Sequence, residues 1–108
     1  RKLKGGVTDW AKVINNHETF EMCRVIAKGL GLRGSMNIQL IITDCGPRVF
    51  EINPRFSSTV MFRHLLGFKD LIWSISEIAG EEVEDYIPPR AGTRFYRASQ
   101  EVILQGNS

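Results

Sequence analysis

The 108-residue chain has only two cysteines, no long apolar run and no block of like charge, and each of these lacks removes a class of protein. Cys23 falls in a helical pattern and Cys45 in a turn, without CxxC or Cys/His spacing. Neither a zinc site nor a disulfide framework is indicated, and a reducing, cytoplasmic setting is expected. No window approaches the roughly 18 apolar residues of a membrane helix, and no signal-peptide pattern is present. The 14 basic and 12 acidic residues are mixed, and the net charge of +2 leaves no footprint for nucleic acid or an anionic membrane. Internal repeats and low-complexity tracts are also missing. The chain begins at "RKLKGG" without Met, from which a piece of a longer protein is expected.

What is there, 43% hydrophobic and 24% charged, is the composition of one globular domain, residues 1–108, with a single core. Residues 3–14 read as a loop around a Gly pair leading into a short strand or irregular segment. From Asn16 the pattern turns helical. Asn15 or Asn16 can cap, Glu18 and Glu21 suit the positive end, and Phe20, Cys23, Ile26, Ala27 and Leu30 recur at three- and four-residue steps. Gly29 and Gly31 end it. "VMFRHLL" and "KDLIWSISEIA" read as two further helices closed by Gly67 and Gly80. "EEVEDYIPPRAG" is a loop because adjacent prolines exclude a helix interior, and "TRFYRASQEVIL" reads as one more strand.

Between the first two helices lies "MNIQLIITDCGPRVFEIN", two β-rich runs flanking "DCG". A three-residue hairpin loop places its last residue in the left-handed region, a role for Gly46. In that register Thr43 faces Pro47, Gln39 faces Glu51 and Asn37 faces Asn53. Ile38, Leu40, Ile42, Phe50 and Ile52 then share a core face, while Asn37, Gln39, Glu51 and Asn53 share the other. The polar face brings one carboxylate and three amides within cross-strand reach. Oxygen donors of this kind suit a hard cation such as Mg²⁺, which borrows its remaining ligands from water and phosphates. Arg55 then stands at phosphate height, where a guanidinium pairs bidentately. The same pattern is equally that of a solvated face on an amphipathic hairpin.

The string "GLRGSMNIQLIITDCGPRVFEINPRFSSTVMFRHLLGFKDL", and above all "NIQL" and "EINPRF" at this separation, resembles the C-terminal part of an ATP-grasp domain. The likeness runs through about residues 5–80 and is nearest to the synthetase domains of the carbamoyl-phosphate synthetase large subunit. It implies an α+β fold, an antiparallel sheet packed with helices at 17–30 and 69–79, forming the C-terminal lobe of an ATP-grasp fold. It also implies that Gln39, Glu51 and Asn53 hold Mg²⁺ (or Mn²⁺) bridging the phosphates of ATP, and that Arg55 contacts phosphate and a developing acyl phosphate. The implied activity is an ATP-dependent carboxylate–amine ligase, with this chain inactive alone because the nucleotide-binding lysines lie upstream. Ser57 and Ser58 stand where many relatives carry glycine. The alternative is a degenerate, non-catalytic ATP-grasp domain that binds nucleotide or mediates oligomerisation. A lobe of this kind exposes apolar surface, open to homodimerisation.

Other residues read more plainly. His64, on the helix after the site, is placed to approach substrate, but a lone helical His is more often structural or exposed; Trp10 and Trp73 at isolated positions read as packing groups, and His17 in a first helical turn faces water. The Lys2, Lys4 and Gly5-Gly6 cluster is a solvated loop that could equally cradle phosphate, with Thr8 a remote candidate for approach to substrate.

Overall fold

The computed structural model describes residues 1–106; the last two positions of the expected domain lie outside the described residues. The order is β1 (Lys2–Lys4), β2 (Val7–Lys12), α1 (His17–Leu30), β3 (Asn37–Thr43), β4 (Gly46–Asn53), α2 (Val60–Leu65), α3 (Asp70–Ile78) and β5 (Arg94–Tyr96). The fold is α+β with antiparallel pairing throughout, as the sequence leads one to expect, but the strands form two sheets. One is β1-β2-β5, the other the β3-β4 hairpin alone.

The segment read as a loop leading into a short strand or irregular segment is the β1-β2 hairpin, with β2 the strand and β1 unexpected. Gly5 and Gly6, at φ of 56° and 77°, supply the positive-φ pair that a two-residue turn needs between right-twisted strands. β5 joins β2 and not the β3-β4 hairpin, because the chain returns from Pro88-Pro89 alongside the end of β2. Val13 donates to the Thr93 carbonyl at 2.7 Å, Gly92 donates to the Val13 carbonyl at 2.8 Å, and the ladder continues as Lys12 opposite Arg94. Strand pairing stops at Tyr96, so the β-like reading of the residues beyond it is corrected.

α1 starts where expected. Asn16 is extended, and its Oδ1 accepts from the Thr19 amide at 2.8 Å, satisfying one of the donors a helix start leaves free. Gly31 in the left-handed region closes it. α1 packs on β4, but α3 packs on α2 instead of the hairpin, which corrects the expected placing of both helices over one sheet. The side chain that anchors α3 is aromatic. Trp73 meets Phe68 edge-on at 5.2 Å and Tyr86 at 6.0 Å, with Phe68 and Tyr86 5.0 Å apart, so the Pro-rich loop closes over the helix. Burial in this cluster pushes the Tyr86 phenol above its ordinary range.

Buried side chains are few. Ala11, Thr8, Pro47 and Asp70 are the buried residues among those described. An accessible surface of 8996 Å² compares with roughly 6,000 Å² for a compact monomer of this mass. The radius of gyration, 16.8 Å, likewise exceeds the roughly 13 Å of a compact chain of this length. Phe20, Val25, Phe50, Leu65, Ile75 and Ile78 are all exposed.

Two outcomes follow. Asn16→Ala removes the cap of α1 and is expected to cost about 1 kcal/mol, read as a lower urea midpoint at unchanged slope. Both cysteines are free, Cys45 exposed at the hairpin tip and Cys23 half-buried, where burial pushes its thiol up and so holds back the thiolate. Iodoacetamide at pH 8 is expected to alkylate Cys45 well before Cys23, as read by peptide mass mapping.

Candidate functional site

The hairpin pairs in two registers. At its open end Asn37 faces Asn53, Ile38 faces Ile52 and Gln39 faces Glu51, the pairing expected from the sequence. Towards the tip the sum drops by one: Leu40 faces Val49, Ile42 faces Pro47, and Thr43 faces Gly46 instead of Pro47. The difference is a β-bulge beside the Gln39–Glu51 pair that leaves Phe50 without a cross-strand partner. Phe50 is consequently 60% exposed, and its expected place on the core face passes to Val49. At the tip Gly46 does hold the positive φ, 95°, and the Thr43 hydroxyl both donates to the Gly46 carbonyl at 2.7 Å and accepts from the Cys45 amide at 3.2 Å.

Strand alternation brings three of the four expected residues together. Gln39 and Glu51 are cross-strand partners, and the Asn53 amide Nδ2 donates to Glu51 Oε1 at 2.6 Å, which fixes the carboxylate's orientation from its own strand. Gln39 Oε1 accepts from the Arg1 guanidinium at 3.0 Å, so a cationic group already finds an oxygen donor there. Arg55 stands apart from the three. Its amide donates to the Asn53 carbonyl at 2.8 Å, turning the chain sharply at Pro54, and its guanidinium Nη1 donates to the Phe56 carbonyl at 2.9 Å. Glu51 and Arg55 are exposed, Gln39 and Asn53 half-buried. Among the described residues no three His, Cys, Asp or Glu side chains converge as a metal cage. The donor set is one carboxylate and amide oxygens on one face.

The remaining candidates take structural places. Thr8 is 2% exposed, which withdraws it as a residue approaching substrate. His64 is half-buried beside Val60, Met61 and Leu71, and His17 is exposed. Trp10 stacks on Tyr96 at 6.2 Å. Lys2 and Lys4 flank the exposed Gly-Gly turn.

Two arginines beside the site went unread in the sequence. Arg97 donates from Nε to the Thr8 carbonyl at 3.0 Å and from Nη2 to the Ser58 carbonyl at 3.3 Å, while its guanidinium lies 4.9 Å over the Phe62 ring. Arg63 donates from Nη2 to Asp70 Oδ2 at 2.6 Å and from Nη1 to the hydroxyls of Ser57 and, at 2.9 Å, Thr59. Both grip the segment that follows the "NPRF" motif. Arg97 left no sequence signal, because its partners are backbone carbonyls far along the chain, whereas the i, i+4 spacing of Thr59 and Arg63 was a trace of the other.

A stretch of 35 residues, 32% of the chain, is 57% identical to the carbamoyl phosphate synthase arginine-specific large chain of Geobacillus stearothermophilus. The stretch spans only 3% of that relative's length. No described helix is long and apolar enough to cross a membrane. The sequence model of one family, ATP-grasp in the biosynthetic pathway with Ter operon, matches residues 1–101, and the chain belongs to that ATP-grasp family.

Proposed function

We propose that this chain is the metal- and phosphate-binding part of an ATP-dependent ligase of the ATP-grasp type, one that activates a carboxylate as its acyl phosphate for attack by an amine. The observation that carries this reading is the facing pair Gln39 and Glu51 with Asn53 bonded to Glu51, in a chain matched over residues 1–101 by an ATP-grasp family. The single-domain lobe is read as working within a larger body, a second lobe or a second copy. Its excess of accessible surface supports that view.

The donor set fits Mg²⁺ or Mn²⁺. Oxygen-only ligands with a single carboxylate suit a hard cation that keeps water and phosphate oxygens in its remaining positions, and the absence of thiolate or imidazole from this face argues against zinc or copper. When bound, such an ion neutralises charge on the transferring phosphoryl group. Glu51 supplies the negative charge, held in orientation by Asn53. Gln39 adds an amide oxygen once it lets go of Arg1. A guanidinium carries five donors in a fixed fork, so Arg55 needs only to release the Phe56 carbonyl to pair bidentately with a phosphate. Covalent chemistry on the protein is not required: positioning and charge neutralisation do the work.

In the intact protein, Glu51→Gln is expected to lower turnover at least about 100-fold with an unchanged circular-dichroism spectrum, and near-normal turnover would sink the assignment. Arg55→Lys is expected to lose about 10- to 100-fold, since an ammonium cannot reproduce the two-pronged contact. Mn²⁺ added with ADP is expected to broaden the NMR signals of Gln39, Glu51 and Asn53 before all others. Uniform broadening would return this face to plain solvent exposure.

A further inference from the structure

Asp70 is 6% exposed in a molecule with few buried residues, and it is charged. Its Oδ2 accepts from Arg63 Nη2 at 2.6 Å and from the Ser35 hydroxyl at 2.8 Å, while its buried Oδ1 has no partner among the described residues. An orphaned buried oxygen is destabilising, and a buried ion pair contributes little net stability compared with an apolar pair of the same size. What the group does give is direction.

The places it joins are informative. Ser35 lies two residues before β3 begins at Asn37. Ser57 and Thr59 lie beyond the end of β4 at Asn53, just past Arg55. Their hydroxyls, 2.7 Å apart, both accept from Arg63, which is itself bound to Asp70. Both chain segments leaving the open end of the hairpin are therefore tied to one carboxylate, and that end carries Gln39, Glu51 and Asn53. A two-stranded hairpin is marginal by itself, and its open end has no turn to hold it. Without a pin there, the separation of Gln39 from Glu51 and the direction of Arg55 would drift.

We propose that Asp70 and Arg63, acting through Ser35, Ser57 and Thr59, are positioning residues for the metal–phosphate face of the hairpin. This rests on the function proposed above. None of the five touches that face. They set the spacing of its two strands and the exit angle of the Arg55 segment, much as outer-shell partners hold metal ligands in place, whose loss typically weakens metal affinity 10- to 100-fold.

The test uses the intact protein with Mn²⁺·ADP and ADP alone as probes, titrated against the wild type and the variants Asp70→Asn, Ser57→Ala, Glu51→Gln and Phe68→Leu. Phe68→Leu loosens the aromatic cluster beside α3 while keeping every side chain of the pin and the backbone bond from the Phe68 amide to the Arg63 carbonyl, and so reports what mere destabilisation does. The wild type is expected to bind Mn²⁺·ADP more tightly than ADP. Asp70→Asn and Ser57→Ala are each expected to weaken Mn²⁺·ADP binding about tenfold and leave ADP binding unchanged, with Phe68→Leu altering neither. Ser57→Ala deletes one oxygen at a half-buried position outside the helices and strands, so it keeps the test decisive if Asp70→Asn does not fold. Unchanged Mn²⁺·ADP affinity in Ser57→Ala, or an equal loss in Phe68→Leu, overturns the positioning role while Glu51→Gln still upholds the site. A wild type indifferent to metal, matched by Glu51→Gln, overturns the site and the pin together.

Discussion

A buried carboxylate has to be answered by partners of fixed direction, and in this chain Asp70 is answered by Ser35 before β3 and by Arg63 on α2, two parts of the sequence that otherwise have little in common. Because hydrogen bonds carry angles that apolar contacts lack, the answer specifies geometry where the thin core cannot. α2 and α3 meet where Arg63 reaches Asp70, the post-motif segment is held where Arg63 reaches Ser57, and β3 enters its sheet from Ser35. On the other flank, Arg97 ties the three-stranded sheet to the same post-motif segment through the Ser58 carbonyl. The structure is thus organised about residues 54–59 more than about a hydrophobic centre.

Local chemistry was legible and tertiary placement was not. The span of α1, its Asn16 cap and the glycine that ends it follow from periodicity and from which side chains can satisfy a helix terminus. The pairing of Gln39 with Glu51 follows from strand alternation and the hairpin turn, and three of the four expected site residues do share one face. The fourth, Arg55, is adjacent in sequence but turned onto its own backbone, which no period-two rule foretells. Missed altogether was the bulge at Phe50, whose signal would have to be a mismatch between the turn-end and open-end registers. The Gly-Gly turn of the first hairpin was there to be read, but the flanking "KLK" and "VTD" alternate too weakly to announce strands. The joining of β5 to β2 depends on backbone bonds between Val13 and residues 92–93, which carry no side-chain imprint.

The openness of the lobe bears on its chemistry. Charge on Glu51 and Arg55 acts through solvent while both are exposed, and at that dielectric an interaction across about 4 Å is worth about 1 kcal/mol. Phosphoryl transfer draws much larger electrostatic stabilisation from sites that exclude water. On the function proposed above, a covering body would do more than hide Phe20, Val25 and Ile75: it would lower the dielectric around the polar face.

The bulge at Phe50 separates the hairpin into two independently registered halves. Changes in tip length or composition around Asp44 and Cys45 can be absorbed at that one unpaired residue and need not propagate along the ladder. The open end, by contrast, has nothing to absorb a slip, since moving either strand by one position would exchange Glu51 for an apolar neighbour. A change of register is therefore absorbed at the tip and transmitted at the open end, and a single irregular residue gives one short hairpin two mechanical halves.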